Sequence, residues 1–172
     1  MDAAFGLQPW HDIDPFHWID IFAALLCGVI IGLERQLRGK PVGIRTASLI
    51  VMGTYFFVVA AESVSTDFTD PSRIIGQVVT GVGFLGAGVM MTKDGMVLGV
   101  TSAAVIWALA AMGIVVAVGE AQTAVKLSVV LVILLYGVDM LENYSTLFTR
   151  GVHARYRDWR RRSTDTHSDT SK

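Results

Sequence analysis

The residues of this chain that could do chemistry are the charged and polar ones that interrupt its long apolar runs. Glu34-Arg35 closes one run, Asp70 and Arg73 bracket the start of another, and Gln77 lies inside it. Thr101, Ser102 and Trp107 fall in the next run, and Asp139 near the end of the last. An ion in an apolar layer is costly unless paired, and where it is retained it either pins helices or lines an ion path. Catalysis has little support. His11, His17, His153 and His167 lie outside the apolar runs, and no pair of them has metal-ligand spacing with a carboxylate nearby. No nucleophile stands beside a base. The acids Asp12, Asp14, Asp67, Asp70 and Glu120 would attract Mg²⁺ only weakly, and no metal site follows from them. Cys27 is the single cysteine, which excludes an intrachain disulfide and a cysteine metal site. The expectation is a non-enzymatic protein with no cofactor and no bound metal.

The elements that must position these residues are membrane spans. The 172 residues are 52% hydrophobic and 17% charged, against about 25% charged in soluble domains. Uncharged runs extend over Ile21–Leu33, Thr46–Ala61, Ile74–Thr92 and Gly95–Gly119, and a fifth over Ala121–Val138 is broken by Lys126. These predict an all-α polytopic membrane protein with five transmembrane helices in a compact bundle. Arg35, Arg38, Lys40 and Arg45 fill the loop after the first run, and the end of the chain carries Arg150, Arg155, Arg157, Arg160, Arg161, Arg162 and Lys172. The first 33 residues hold Asp2, Asp12, Asp14 and Asp20 and no basic residue. Basic loops stay inside, so the N-terminus is expected outside and the C-terminus in the cytoplasm.

The division that follows is an extracytoplasmic segment over 1–16, a five-span domain over 17–142 and a basic tail over 143–172. The tail is Ser/Thr-rich after its arginines, so it is expected to be disordered and to sit on anionic lipid, with no call for nucleic acid. The N-terminus lacks the basic region and cleavage site of a signal peptide. Ile21–Leu33 and Leu127–Val138 fall short of the roughly 17–25 residues a span needs. Glu34, Arg35 and Asp139 therefore lie either at the membrane boundary or facing the bundle interior.

The third run opens with Asp70 as a helix cap and Pro71 at the first helical position. Arg73 in the first turn is opposed by the helix dipole, so a partner is expected among Asp70, Asp67 and Glu62. Arg73→Ala should then disturb the protein more than Arg38→Ala. Gly81-x-Gly83-x-x-Gly86-x-Gly88 resembles a dinucleotide-binding fingerprint, but no strand precedes it and no acid follows at the needed distance. On a helix, Gly76, Thr80, Gly83 and Ala87 share one face, while Gly81 and Gly88 mark a second. Small residues of this kind let helices approach closely; a path lined by exposed backbone is the alternative. Gln77 and Thr80 add hydrogen bonds. In the fourth run Gly99, Ala103 and Gly113 extend the packing pattern, and Thr101 and Ser102 supply hydroxyls. Trp107 lies deep in the run, away from its ends, and its indole N–H wants an acceptor, for which Thr101, Ser102 and Gln77 are the candidates, in a layer that either packs or floors a site. Gly43 permits a turn before the second run, with Thr46 placed to cap it and Arg45 at the headgroups.

Ile31-Gly32-Leu33-Glu34-Arg35, Gly43-Ile44-Arg45-Thr46, Asp70-Pro71-Ser72-Arg73, Gly81-Val82-Gly83-Phe84-Leu85-Gly86-Ala87-Gly88 and Gly99-Val100-Thr101-Ser102-Ala103-Ala104 follow one another in this order, with Trp107 and Gly113 after them. Together they resemble the MgtC/SapB family of bacterial inner-membrane proteins over about residues 20–140. The resemblance implies a five-span membrane domain without enzymatic activity, linked to low Mg²⁺ or acid adaptation. In the MgtC branch it also implies survival of pathogens inside host cells and inhibition of the rotary ATP synthase through a membrane contact. This sequence has Thr101 where that branch has Asn, and a short tail in place of a soluble C-terminal domain. It is therefore expected to be of the short SapB type, without the ATP synthase contact. The functional expectation is a regulator that contacts another membrane protein, with a small Mg²⁺ or H⁺ transporter or channel as the alternative. A homodimer or small homo-oligomer is expected in either case.

Overall fold

A computed structural model describes residues 12–65, 70–93 and 96–144. Most of the N-terminal segment and the basic tail lie outside these residues, as does Asp67. The order of elements is α1 (Trp18–Leu37), α2 (Ile44–Ser63), α3 (Pro71–Gly88), β1 (Met91–Lys93), β2 (Met96–Leu98), α4 (Val100–Ala117) and α5 (Ala121–Tyr144). Two compact units divide between Val132 and Ile133. The first holds α1 to α4 and the start of α5. In the second, Ile133, Leu134, Tyr136, Met140 and Leu141 are exposed along the rest of α5, and Asp139 is half-buried.

The described residues form five helices, of which three, α2, α4 and residues Ala121–Leu141 of α5, are long and apolar enough to cross a membrane. The other two are more polar. α1 carries Asp20, Glu34 and Arg35; α3 carries Arg73, Gln77 and five glycines. Met91–Lys93 pairs antiparallel with Met96–Leu98, Met91 opposite Leu98 and Lys93 opposite Met96. This hairpin corrects the sequence reading, which carries the third span to Thr92 and starts the fourth at Gly95. Asp94-Gly95 between two three-residue segments is a strong hairpin signal, hidden by the apolar residues on both sides.

The core of the first unit lies where α1, α2 and α4 meet, with Ile31, Val51, Tyr55, Val58, Leu109 and Val116 almost fully enclosed. Glycine sets the closeness of approach. A Cβ on Gly28 would fall on the Ser48 backbone with the Ser48 Oγ 2.9 Å away, and one on Gly32 would lie 2.6 Å from the Ile44 Cα. A Cβ on Gly113 of α4 would lie 2.6 Å from the Thr54 Cβ. Gly28-x-x-x-Gly32 is thus the small-residue motif that joins α1 to α2. At the other end of α1 the His17 N–H donates to the Tyr55 hydroxyl at 3.1 Å, and Phe16 stacks edge-on against Phe56 with centroids 5.4 Å apart. On α5, Ala124 and Ser128 are fully enclosed, and the Ser128 and Cys27 side chains hydrogen-bond.

Candidate functional site

Arg35 sits in the last turn of α1, and its guanidinium turns into the bundle. It is 3% exposed, and its Nη2 donates to the Ser102 Oγ of α4 at 2.7 Å. Its Nε donates to the Pro41 carbonyl in the loop before α2 at 3.4 Å. One side chain thereby ties α1, the loop and α4 together. Beside it the Glu34 carboxylate is 8% exposed; its Oε1 accepts from the Arg38 Nε at 2.8 Å. The Glu34 Oε2 is buried without a hydrogen-bond partner among the described residues. Of the two placements open to Glu34 and Arg35, boundary or interior, the structure takes the interior.

The loop they hold is tight. Val42 adopts φ +67°, a left-handed conformation that costs a β-branched residue about 1–3 kcal/mol. Burial of the Val42 side chain, the Arg35 bond to Pro41 and the Ile44 N–H donating to the Gln36 Oε1 at 3.3 Å hold it there.

A second feature is an open groove of about 700 Å³ between α2 and α3. Leu49, Phe57, Val78 and Leu85 make its walls apolar; Gln77 lies on one wall, and Arg45 and Thr46 stand at one end. Gly53 and Gly81 lie on its floor, with no atom within 4 Å of where a Cβ would project.

The remaining candidates scatter. Asp70 caps α3 as expected, its carboxylate accepting from the Ser72 N–H at 2.9 Å and the Ser72 hydroxyl at 2.8 Å. These bonds, and then the Arg73 charge, hold the Asp70 carboxyl below its ordinary pKa. The contribution of the cap is therefore fully present above the ordinary value of 3.8 and is lost as pH falls through the lower folded-state value. Arg73 is exposed; of its expected partners, Asp70 feels its charge, and Asp67 lies outside the described residues. Thr101 is exposed while its neighbour Ser102 is buried. Trp107, in the middle of α4, is 57% exposed, because positions 105, 106 and 109 supply the face that α4 turns inward. It reaches neither Ser102 nor Gln77.

The small residues divide in the same way. Gly113 packs on α2, and a Cβ added at Gly86 of α3 would lie 3.7 Å from the Ala103 Cβ of α4. Gly99 has φ +88° against the Val89 carbonyl and so serves the turn into α4. Around Gly76, Gly81, Gly83 and Gly88 there is open space. Thr80 and Ala87 are exposed, the Thr80 hydroxyl donating to the Gly76 carbonyl at 2.8 Å. Within this chain those six positions pack against nothing described. The residues that do hold the helices, Gly28, Gly32 and Ser48, escape a reading focused on α3.

Apolar helices crossing at glycine contacts, with a paired arginine in the core, define a helical membrane protein. The family model described as the MgtC family matches residues 21–144, and the chain belongs to that family. It is 44% identical over 122 residues to the protein of Escherichia coli K12 named "Putative magnesium transporter YhiD", covering 67% of this chain and 56% of that one. It is 36% identical over 113 residues to "Protein MgtC" of Salmonella typhimurium LT2, covering 66% of this chain and 48% of the relative. A protein of Haemophilus influenzae without an assigned function is 37% identical over 119 residues, covering 64% of this chain and 50% of that one. The chain thus spans about half the length of the curated relatives it matches. No solved structure matches it.

Proposed function

We propose that this protein is a non-enzymatic regulator in the bacterial inner membrane, crossing it five times with the N-terminus outside and the basic tail in the cytoplasm. It acts by contact with another membrane protein, in the adaptation to Mg²⁺ limitation or acid stress that the family resemblance implies and in the virulence that follows from it. Family membership and the magnesium activity in the name of the E. coli relative support the link to Mg²⁺. The observation that carries the contact is the outer face of α3. Gly76 and Gly83 on that face have open space where a Cβ would project, and Thr80 and Ala87 between them are exposed. An exposed row of small residues in an apolar helix admits a second helix at close range. Phe84, 81% exposed beside the row, gives that helix an aromatic edge. The same face would serve a homodimer. No contact with nucleic acid or ATP synthase is needed.

A photo-cross-linking residue at position 84 tests this in living cells. The expected result is one discrete adduct with a second membrane protein, absent when the probe stands at position 133 on α5. Adducts with lipid alone would contradict the reading. Transport of Mg²⁺ or H⁺ is the second reading, favoured by the name of the E. coli relative and by the buried Glu34 and Arg35.

A further inference from the structure

We infer that the groove between α2 and α3 binds one anionic phospholipid, an acyl chain lying along it and the phosphate on Arg45. Three observations meet there. The groove runs the length of α2 from Arg45 to Ala61, about 24 Å at the helical rise of 1.5 Å per residue. An acyl chain that fills half of a hydrocarbon core of roughly 30 Å fits within it. Its volume of about 700 Å³ lies in the usual range of small-molecule sites, about 300–1,000 Å³. Thr54 and Gln77 also line it, but its one charged lining residue stands at an end. Arg45 and Thr46 stand together at one end, both exposed, and Arg45 forms no ion pair among the described residues.

That charge selects the occupant. An apolar helix from a second copy would seal an unpaired guanidinium away from water, which is costly, whereas a lipid phosphate pairs with it. The groove is also separate from the face assigned to a partner helix. At about 100° per residue, Ile74, Gln77, Val78, Gly81 and Leu85 centre on the side of α3 opposite to Gly76, Thr80, Gly83 and Ala87. Arg45 at the inner leaflet rests on the orientation proposed above. Binding in detergent does not depend on which side is inside, so the two readings fail separately.

The test is native mass spectrometry of the full chain in mild detergent, with phosphatidylglycerol, phosphatidylethanolamine of the same chains, or oleate added. A single phosphatidylglycerol adduct per chain is expected. Arg45→Ala should cut its preference over phosphatidylethanolamine about fivefold, the worth of one basic residue near an anionic surface. A Cβ added at Gly53 or Gly81 meets no atom within 4 Å, so Gly53→Leu and Gly81→Leu put side-chain volume at the groove lining, and each should abolish the adduct. The tail arginines are common to every variant, so the differences report the groove. An unchanged preference in Arg45→Ala, or an adduct that survives both leucine variants, would overturn the assignment. So would oleate retained with the same dependence on Arg45, or a dimer that Gly53→Leu dissociates.

Discussion

Taking the guanidinium from Arg35 would leave the Ser102 hydroxyl and the Pro41 carbonyl without their donor. Hydrogen bonds to a charged group are worth about 1.5–3 kcal/mol each. Arg35→Ala is therefore expected to unfold well below the wild type in detergent, followed by circular dichroism. Ser102→Ala should lose about 1–3 kcal/mol, the penalty of leaving one buried donor unmet. Arg73→Ala, at an exposed position, should stay within about 0.5 kcal/mol of wild type. Arg38→Ala, which removes the partner of the buried Glu34 carboxylate, is expected to cost more than Arg73→Ala, the opposite order to the one expected from sequence. The sequence marks Glu34 and Arg35 as out of place in an apolar run. It does not say where they turn, since that depends on Ser102, which lies 67 positions away in the chain.

Between helices, the glycines sort into two kinds that composition alone does not separate. Gly28, Gly32 and Gly113 sit under backbone or Cβ atoms of a neighbouring helix, so even alanine forces the helices apart. Gly28→Ala and Gly113→Ala should each cost about 1–3 kcal/mol through overpacking. Gly76→Ala and Gly83→Ala meet open space and should leave the melting temperature of the purified chain unchanged, while Gly83→Ala weakens the adduct from position 84. Equal destabilisation by both groups would mean that α3 is as tightly enclosed as α1. The helices themselves were legible from the runs between charges. Each observed helix overlaps an expected run, and α1 runs on through the buried Glu34 and Arg35 to Leu37 rather than ending at them. The hairpin was less visible, since Met91, Val97 and Leu98 read as apolar whether they cross a membrane or pair across a turn.

For the molecule as a whole, the choice lies between contact and conduction. Where α1, α2 and α4 meet, Ile31, Val51, Leu109 and Val116 are at most 1% exposed, and such close-packed apolar side chains give an ion no polar partners. Among the described residues, the buried hydroxyls Ser48 and Thr54 sit at the glycine contacts of α2 with α1 and α4, and the buried charges are confined to the cluster around Arg35. Family membership was legible because its tracts stand in order along the chain; the activity was not, because the chain spans about half of its curated relatives. Flux of Mg²⁺ and H⁺ in liposomes carrying the purified protein separates contact from conduction most directly. Protein that circular dichroism shows to be helical is expected to pass neither ion above the rate of empty liposomes. Flux of either ion, lost in Ser102→Ala, would contradict the contact mechanism and make the Arg35 cluster part of a pathway.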